Sequence, residues 1–444
     1  MNSFNGTLDI FLASAGTGKT HQLMNIIDYH LKNGTPIDRI AFVTFTKKGA
    51  EVAQLRTAEQ FGFPLDKLKH FRTIHSMAFR GCGVAREIMM DFPKYKDFGE
   101  KAGYNFGTLG LNTAEGINWN EMKDQQLVAI EQLYRNNRPY CETIMEDRVD
   151  YADLVRYMQL YVKYKNTFGY KDFTDLLEDY IASGRAEDVD VVCLDEMQDS
   201  SLLQWQMVFQ AFKNAKYIYV AADIKQAVFT YAGASPETVL NLRGEQHMLE
   251  QSYRVPSRIL AFAQNIVDVM QLTDHSHCKA VNDGGIVEEI TSIDELTEQF
   301  DINKSYFFLA RNKKFFVQFE DWCIENGIPY CIKGEPIFTE SEKIEFREGR
   351  TDGWEPKHLD FARYCYSKGT FYRTPNVNIS TIHTVKGDEA DVVVLLGDIS
   401  KAVASQLELD EDSEHRVFYV AVTRAKEKLI VVQPQTRQYY PYLY

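Results

Sequence analysis

The sequence predicts an α/β protein in which parallel sheets are covered by helices, and three features favour this class. Short β-rich runs alternate with amphipathic helical runs towards both ends of the chain. A glycine-rich loop at 13–20 separates an apolar run from a helical run, and two acidic residues, Asp195 and Glu196, end another apolar run. Alternation of this kind is typical of strands joined by helical crossovers, as in a parallel sheet.

The apolar runs give the order of the elements. Strands are predicted at 8–12, 40–45, 189–194 and 217–221, with a helix over 19–33 that stops before Gly34. A second group of strands is predicted at 306–310, 378–382, 392–396 and 428–432. The 444 residues are enough for about two to four domains, so two sheet domains are expected.

Two intervals interrupt this pattern. Residues 81–171 combine a glycine-rich polar stretch at 107–116 with helical runs through 125–164, which predicts a mainly helical insertion. The first sheet domain would then comprise 1–80 and 172–245, and the second 246–444. Residues 334–373 are polar and weakly patterned, so a small insertion is expected in the second domain.

Composition excludes several classes of protein. No apolar run approaches the ~18 residues of a membrane span, and the start of the chain has no secretory signal pattern, so a cytosolic protein is expected. The seven cysteines form no CxxC pair, which argues against a zinc ribbon or a disulfide framework. The cluster of His275, His277 and Cys278 is interpreted as a polar loop, and no metal is assigned there.

The formal charge of −14 limits where a nucleic-acid partner could bind. Phosphate neutralisation normally needs clustered Lys and Arg. A nucleic-acid path would therefore be confined to a groove and would depend on stacking, beneath an acidic exterior.

The glycine-rich loop has the context of a phosphate-binding loop, since it follows a strand and opens a helix. Its glycines let backbone N–H groups face phosphate oxygens, and the helix N-terminus adds a positive dipole end. Lys19 is predicted to hold the β- and γ-phosphates of a nucleotide, and the Thr20 hydroxyl to bind Mg²⁺. Kinases, GTPases and other ATPases remain open at this point. The predicted loop ligands are Ala13, Ser14, Ala15, Gly16, Thr17, Gly18, Lys19 and Thr20.

The acidic pair lies at the end of a buried strand, the position of a Walker B element. Asp195 is predicted to bind Mg²⁺, and Glu196 to accept a proton from the attacking water. The alternative is an acidic turn between a strand and a loop, without a catalytic role.

Taken together, the loop and the acidic DEMQD segment resemble superfamily 1A DNA helicases of the UvrD/Rep kind, and further segments follow in the order of that family. They are 41–50 (motif Ia), 73–76 (motif Ib), 172–177 (before motif II), 220–234 (motif III), 249–254 (motif IV), 381–389 (motif V) and 419–425 (motif VI). An ordered set of this length is specific, although each segment is weak alone.

The resemblance implies two RecA-like domains with ATP and Mg²⁺ between them. Arg254 and Arg424 would stabilise charge on the γ-phosphoryl group, and Gln226 would sense that phosphate. Tyr253 would stack on adenine, and Glu389 would contact the ribose.

The resemblance also implies contacts with single-stranded DNA. Three aromatic residues would form stacking pockets, and hydroxyl or imidazole groups would donate to phosphates. The aromatic residues are Phe45, Phe229 and Tyr231. The phosphate donors are Thr44, Thr46, Thr73, His75, Thr381 and His383.

Several positions depart from the family pattern. Ala13 replaces the first glycine of the loop, and His21 replaces the arginine that usually follows it, which suggests a weaker sandwich around the base. Tyr231 and Ala232 replace a tryptophan and an arginine. The glutamine motif is not visible in 1–12, and the short interval between Arg254 and 381 suggests that the family's large accessory insertion is absent or vestigial.

The predicted function is an ATP-dependent helicase that moves 3′ to 5′ on single-stranded DNA and unwinds duplexes. An alternative is a translocase that mainly displaces bound proteins, and a further alternative is a nucleotide-gated DNA-binding module without turnover. Expected partners are single-stranded DNA, single-strand to duplex junctions, and replication or recombination proteins. The free protein is expected to be a monomer without a membrane contact.

Overall fold

The computed structural model describes residues 4–106, 123–145, 150–274 and 276–444. The chain divides into two compact units, Met1–Glu250 with Leu272–Ser276, and Gln251–Gln271 with His277–Tyr444. The predicted glycine-rich stretch at 107–116 and His275 lie outside the described residues. Among the described residues, no helix is long and apolar enough to cross a membrane.

The first unit is built on a six-stranded sheet in the order β3-β2-β4-β5-β1-β6, with every pair parallel. The strands are β1 (Thr7–Leu12), β2 (Ile40–Thr44), β3 (Phe71–Thr73), β4 (Val191–Asp195), β5 (Tyr217–Ala222) and β6 (Glu245–Met248). Strand β5 lies between β1 and β4. The carboxyl end of β5 therefore separates the phosphate loop from the acidic pair.

Helices cover both faces of this sheet, because alternate residues of its buried strands point to opposite sides. Ile10 and Leu194 face one core with helices α3, α8 and α9, whereas Phe11 and Cys193 face the other with α1 and α2. The helices of this unit outside 81–171 are α1 (Lys19–Lys32), α2 (Lys47–Phe61), α3 (Ile74–Cys82), α8 (Phe173–Ala182), α9 (Leu202–Ala211) and α10 (Pro236–Leu240).

Within 81–171 the described residues are mainly helical and build a core of their own. The helices are α4 (Phe92–Ala102), α5 (Lys123–Asn136), α6 (Arg138–Met145) and α7 (Tyr151–Phe168). Their buried side chains form one cluster that is rich in tyrosine and phenylalanine, including Phe98, Tyr157 and Tyr161. Tyrosine hydroxyls in such a core usually find polar partners, and that of Tyr161 donates to Tyr95 at 2.8 Å.

The second unit has a seven-stranded sheet in the order β12-β11-β13-β10-β14-β15-β9, parallel except for β11 and β12. A separate parallel pair is formed by β7 and β8. The strands are β7 (Gln251–Ser252), β8 (Lys279–Ala280), β9 (Ile286–Ile290), β10 (Tyr306–Ala310), β11 (Tyr330–Ile332), β12 (Glu335–Pro336), β13 (Val377–Thr381), β14 (Ala390–Leu396) and β15 (Ala425–Val432).

The helices of the second unit are α11 (Ser257–Val267), α12 (Phe316–Asn326), α13 (Glu340–Arg347), α14 (Pro356–Ser367), α15 (Lys401–Leu407) and α16 (Glu411–Val422). The interval 334–373, predicted as a small insertion, contains β12, α13 and α14 and lies between β11 and β13. Phe338, Phe361 and Cys365 from it are buried in the core that also holds Phe308 of β10. The interval is therefore more closely integrated with the sheet than its polar composition suggested.

Candidate functional site

The glycine-rich loop connects β1 to α1 in the first unit. The Ala13 N–H donates to the carbonyl of Ala222 at 3.0 Å, which fixes the start of the loop to β5. Gly16 and Gly18 have φ values of 75° and 82°, a left-handed conformation that strongly favours glycine. The Thr17 hydroxyl donates to the Ser14 carbonyl at 3.0 Å. The chain thus curls over the N-terminus of α1, the geometry of an anion-binding loop.

Three acidic side chains surround the first residues of α1. The Thr20 hydroxyl donates to a carboxylate oxygen of Asp195 at 2.7 Å. The Lys19 Nζ atom lies 3.6 Å from a carboxylate oxygen of Glu196 and 3.9 Å from one of Asp223. These contacts bring the predicted Lys19, Thr20, Asp195 and Glu196 together and add Asp223, which was not predicted.

The charges of this cluster suit a nucleotide with a divalent cation. Burial, together with the adjacent Glu196, raises the pKa of Asp195 to about 6, and burial also raises the pKa of Asp223. Burial and a neighbouring negative charge both disfavour the charged form of a carboxyl group. Mg²⁺ would relieve this repulsion, and the Thr20 hydroxyl with the Asp195 carboxylate offers the oxygen ligands that it prefers. The residues present therefore fit a Mg²⁺–nucleotide complex.

Glu196 has an unusual backbone conformation. Its φ of 56° lies in the left-handed region, one of two non-glycine residues with positive φ among those described. The Gln198 amide donates to the Glu196 carboxylate, and its carbonyl accepts from the Asp223 N–H at 3.1 Å. Gln198 thus holds the carboxylate of Glu196 while tying β4 to β5. Strain of this kind is often found at catalytic positions, where the surrounding contacts maintain it.

Gln226 belongs to the same cluster through Asp223. Its amide donates to the Asp223 carboxylate, and Gln226 is 5% exposed. Sequence reasoning identified Gln226 but missed Asp223 and Gln198. Asp223 follows the buried run of β5 just as Asp195 ends that of β4, so its position after a strand was the available signal.

Two of the three predicted aromatic residues stack on each other in the first unit. The rings of Phe45 and Phe229 lie 5.2 Å apart at 28°, and Tyr231 lies 6.1 Å from Phe229. Sequence reasoning missed Phe173, which is 57% exposed and contacts the predicted His75 ring at 5.6 Å. The signal for Phe173 was a large apolar residue directly after the N-cap of a helix.

The predicted hydroxyl and imidazole donors differ in accessibility. Thr46 and Thr73 accept from backbone N–H groups as the N-caps of α2 and α3, at the helix ends where anions bind. His75 is only partly exposed, and burial lowers its pKa to about 4, so its ring is neutral at pH 7. A neutral imidazole can still donate one hydrogen bond.

Three predicted DNA contacts, Thr44, Thr381 and His383, are largely buried in this structure. Thr44 is 1% exposed at the end of β2, Thr381 is 4% exposed with its hydroxyl bonded to that of Thr384 at 2.9 Å, and His383 is 7% exposed. Lys19 and Gln226 are enclosed to a similar degree, so these three contacts stay predictions.

The predicted residues of the second unit form two groups. Arg254 lies 3.8 Å from a Glu389 carboxylate oxygen, and the neighbouring Tyr253 is 61% exposed. Arg424 is 1% exposed and donates to the carbonyls of Val420 at 3.0 Å and Asp388 at 3.3 Å.

The strand-loop-helix turn with Lys19, together with the acids at the end of β4, defines a phosphate-loop nucleotide-binding protein. The chain matches the UvrD/REP helicase N-terminal domain over residues 1–247 and the UvrD-like helicase C-terminal domain over residues 366–436. It belongs to the UvrD/REP helicase family.

Individual relatives are distant in sequence. A protein of Mycoplasma pneumoniae named "Probable DNA helicase" is 25% identical over 98% of this chain and 82% of its own length. The Escherichia coli "ATP-dependent DNA helicase Rep" is 22% identical over 76% of this chain and 54% of its own length. A "Probable DNA helicase II homolog" of Mycoplasma capricolum is 22% identical over 75% of this chain and 51% of its own length. The chain thus spans most of the first relative and about half of the other two.

Proposed function

We propose that this protein is an ATP-dependent DNA helicase that moves along single-stranded DNA, in the 3′-to-5′ direction, and separates duplex strands. The observation that carries the proposal is the course of one short loop in the first unit. Gln226 is bonded to Asp223 in the lysine and carboxylate cluster, and three residues later Phe229 stacks on Phe45. A change in the nucleotide bound at this cluster could therefore shift the loop and, with it, the aromatic stacking surface.

We assign separate roles in ATP hydrolysis to residues of the first unit. Lys19 and the N–H groups of the loop bind the phosphates, and Thr20 with Asp195 holds Mg²⁺. Glu196, fixed by Gln198, accepts the proton of the attacking water. ATP with Mg²⁺ supplies the phosphoanhydride bond whose hydrolysis provides the free energy for movement.

For residues of the second unit we propose the roles that the motif pattern predicts. Arg254 and Arg424 are proposed as donors to the γ-phosphoryl charge, and Tyr253 and Glu389 as contacts for adenine and ribose. His21 is exposed in place of the usual arginine, so selectivity for the base is expected to be reduced. Comparable turnover of ATP and GTP supports this last point, and strict preference for ATP contradicts it.

DNA binding is proposed for the stacking surface and the two helix ends beside it. Phe45, Phe229 and Tyr231 would stack on bases, and Phe173 with His75 extends the set of exposed or partly exposed rings. Stacking tolerates every base, as travel along DNA requires. Thr46 and Thr73 would contact phosphates through their hydroxyls and the adjacent helix N-termini.

The decisive measurement is ATP turnover with and without oligo-dT, followed by strand separation on duplexes with a 3′ or a 5′ tail. We expect stimulation by single-stranded DNA, unwinding from the 3′ tail, and loss of both in Lys19→Ala. ATP turnover that single-stranded DNA does not change would support a nucleotide-gated binding module instead. Unwinding from a 5′ tail alone would overturn the proposed polarity.

A translocase that mainly displaces bound proteins is the second candidate. It is favoured by the second unit, where the interval 334–373 forms α13, α14 and part of the core instead of a separate accessory domain. Removal of a protein bound to a single strand, compared with strand separation at the same ATP turnover, discriminates the two activities.

A further inference from the structure

The end of helix α5 touches three segments that belong to the proposed motor site. Residues Arg135, Asn136 and Asn137 form the last turn of α5 and the link to α6. We propose that these three residues, the α5 junction, are positioning residues that transmit the state of the nucleotide cluster to the stacking loop at 229–234. The inference rests on the proposed function.

Asn136 connects the junction to the chain that follows the acidic pair. Its side-chain carbonyl accepts from the Ser201 hydroxyl at 3.0 Å, and its amide donates to Thr174 of α8 at 3.3 Å. Ser201 is 3% exposed and is also the N-cap of α9, where its oxygen accepts from the Gln204 N–H. The Ser201 hydroxyl thus donates to Asn136 and accepts from Gln204. A movement of the turn after Glu196 that displaces Ser201 would therefore alter its hydrogen bond to Asn136.

Asn137 connects the junction to the stacking loop. Its amide donates to the Gly233 carbonyl at 3.3 Å, and its own side-chain oxygen accepts from the Tyr140 N–H at the start of α6. Gly233 has a φ of 95°, and a Cβ atom there would lie 2.9 Å from the Cβ of Asn136. The loop that carries Phe229 and Tyr231 therefore fits closely against the junction.

Two of the segments that the junction touches, the chain at Ser200 and Ser201 and the stacking loop, are also joined to each other. Ser201 and Ala234 form an antiparallel bridge, and the Ser235 N–H donates to the Ser200 carbonyl at 2.9 Å. A shift of the turn after Glu196 must therefore move the end of the stacking loop. The α5 junction lies against both of these segments and restricts the directions in which they can move.

Arg135 anchors the junction to α8. Its guanidinium lies 2.9 Å from Asp172, 2.6 Å from Asp175 and 2.8 Å from Glu178. The side chain of Arg135 is 11% exposed, so these contacts are screened little by water. Because Arg135 holds the end of α5 against α8, Asn136 and Asn137 contact Ser201 and Gly233 from a fixed position.

The test separates coupling from folding and from DNA binding. In Asn136→Ala we expect turnover without DNA and the Kd for oligo-dT to stay within about twofold of the unchanged protein, while turnover at saturating oligo-dT falls by about fivefold or more. Asn136→Asp retains an acceptor for Ser201 and should recover most of the stimulation. Asn166→Ala, an exposed asparagine on α7, is the matched control.

A second variant tests the same inference in case Asn136→Ala does not fold. Asn137→Asp retains the cap of α6, because aspartate caps helices as well as asparagine does, but it loses the donor to Gly233. It should also reduce stimulation by DNA without changing basal turnover. Circular dichroism and thermal unfolding verify that each variant is folded.

The outcomes distinguish this inference from the proposed function. If the unchanged protein shows no stimulation by single-stranded DNA, the proposed function fails. If it is stimulated and both variants behave as it does, the inference about the junction is wrong. An equal fall in basal and stimulated turnover would also overturn it, since the junction would then only support the nucleotide cluster.

Discussion

Glu196 shows how single residues prepare this site for chemistry. Its left-handed backbone directs the carboxylate towards Lys19, and Gln198 holds it there by a hydrogen bond. A general base must be positioned before its proton affinity matters. The proposed role of Glu196 can therefore be tested separately from nucleotide binding, which we assign to Lys19 and the loop.

In Glu196→Gln we expect the DNA-stimulated turnover of ATP to fall by ~10²- to 10⁴-fold, because the amide cannot accept the proton of water. The Kd for a non-hydrolysable ATP analogue should change by less than about threefold, since the exchange is isosteric. Steady-state turnover and analogue titration measure the two quantities. Glu298→Gln, at an exposed position outside the predicted motifs, is the control, and unchanged turnover in Glu196→Gln would exclude Glu196 as the base.

Glu131 gives a prediction for stability. Burial raises its pKa to about 7, although Arg135 lies 3.2 Å away and acts in the opposite direction. An acid with a raised pKa in the folded state stabilises the fold fully below its unfolded value, and this contribution is lost as pH rises through about 7.

In Glu131→Gln the hydrogen bond to Arg135 can persist, but the group no longer ionises. Between pH 5 and pH 8 we expect the free energy of unfolding of the unchanged protein to fall, relative to the variant, by about 1 to 3 kcal/mol. Thermal or urea unfolding at both pH values measures this difference. Glu142→Gln on α6 is the exposed control, and parallel pH dependences of variant and unchanged protein would contradict the prediction.

Sequence reasoning found the residues whose chemistry is local and missed those that depend on neighbouring strands. Lys19 and Asp195 stand in short patterns with a recognisable chemistry. Asp223 and Gln198 become part of the site only because β5 lies between β1 and β4. Strand order is not encoded in any one segment, so their partners could not be named in advance.

At the scale of elements, buried strands were the easiest to predict and polar helices the hardest. Predicted β10 at 306–310 coincides with the observed strand, and most other predicted strands differ at their ends by one to three residues. Helix α13 was missed because its residues are largely polar. Thr339 and Glu342 form a capping box there, and that T-x-x-E signature was the signal available in the sequence.

The loop after β5 gives a prediction at this scale. In Phe229→Ala the stack on Phe45 is removed, and we expect the binding free energy for oligo-dT to weaken by ~1 to 3 kcal/mol. Fluorescence anisotropy measures the affinity. Tyr29→Ala on α1, which removes another exposed ring, should leave it unchanged. Equal affinity in Phe229→Ala would mean that bases do not stack at this surface.

At the scale of the whole molecule, the net charge of −14 determines how DNA can be held. A protein that binds chiefly through phosphates releases many counterions, and its affinity then falls steeply with salt. Here the exposed or partly exposed candidates for phosphate contact are two capped helix ends and a neutral His75, whereas the stacking surface has three or four rings. Stacking should therefore contribute more than neutralisation.

We consequently expect a shallow salt dependence. For single strands the slope of log K against log salt concentration is about −0.7 per phosphate contact, so a value of about −1 to −3 is predicted for oligo-dT. Anisotropy titrations from about 50 to 300 mM salt measure it. Phe229→Ala should lower the affinity by the same factor throughout this range, because stacking on a neutral ring releases no counterions. A slope steeper than about −5 would show that a basic channel dominates binding in spite of the acidic composition.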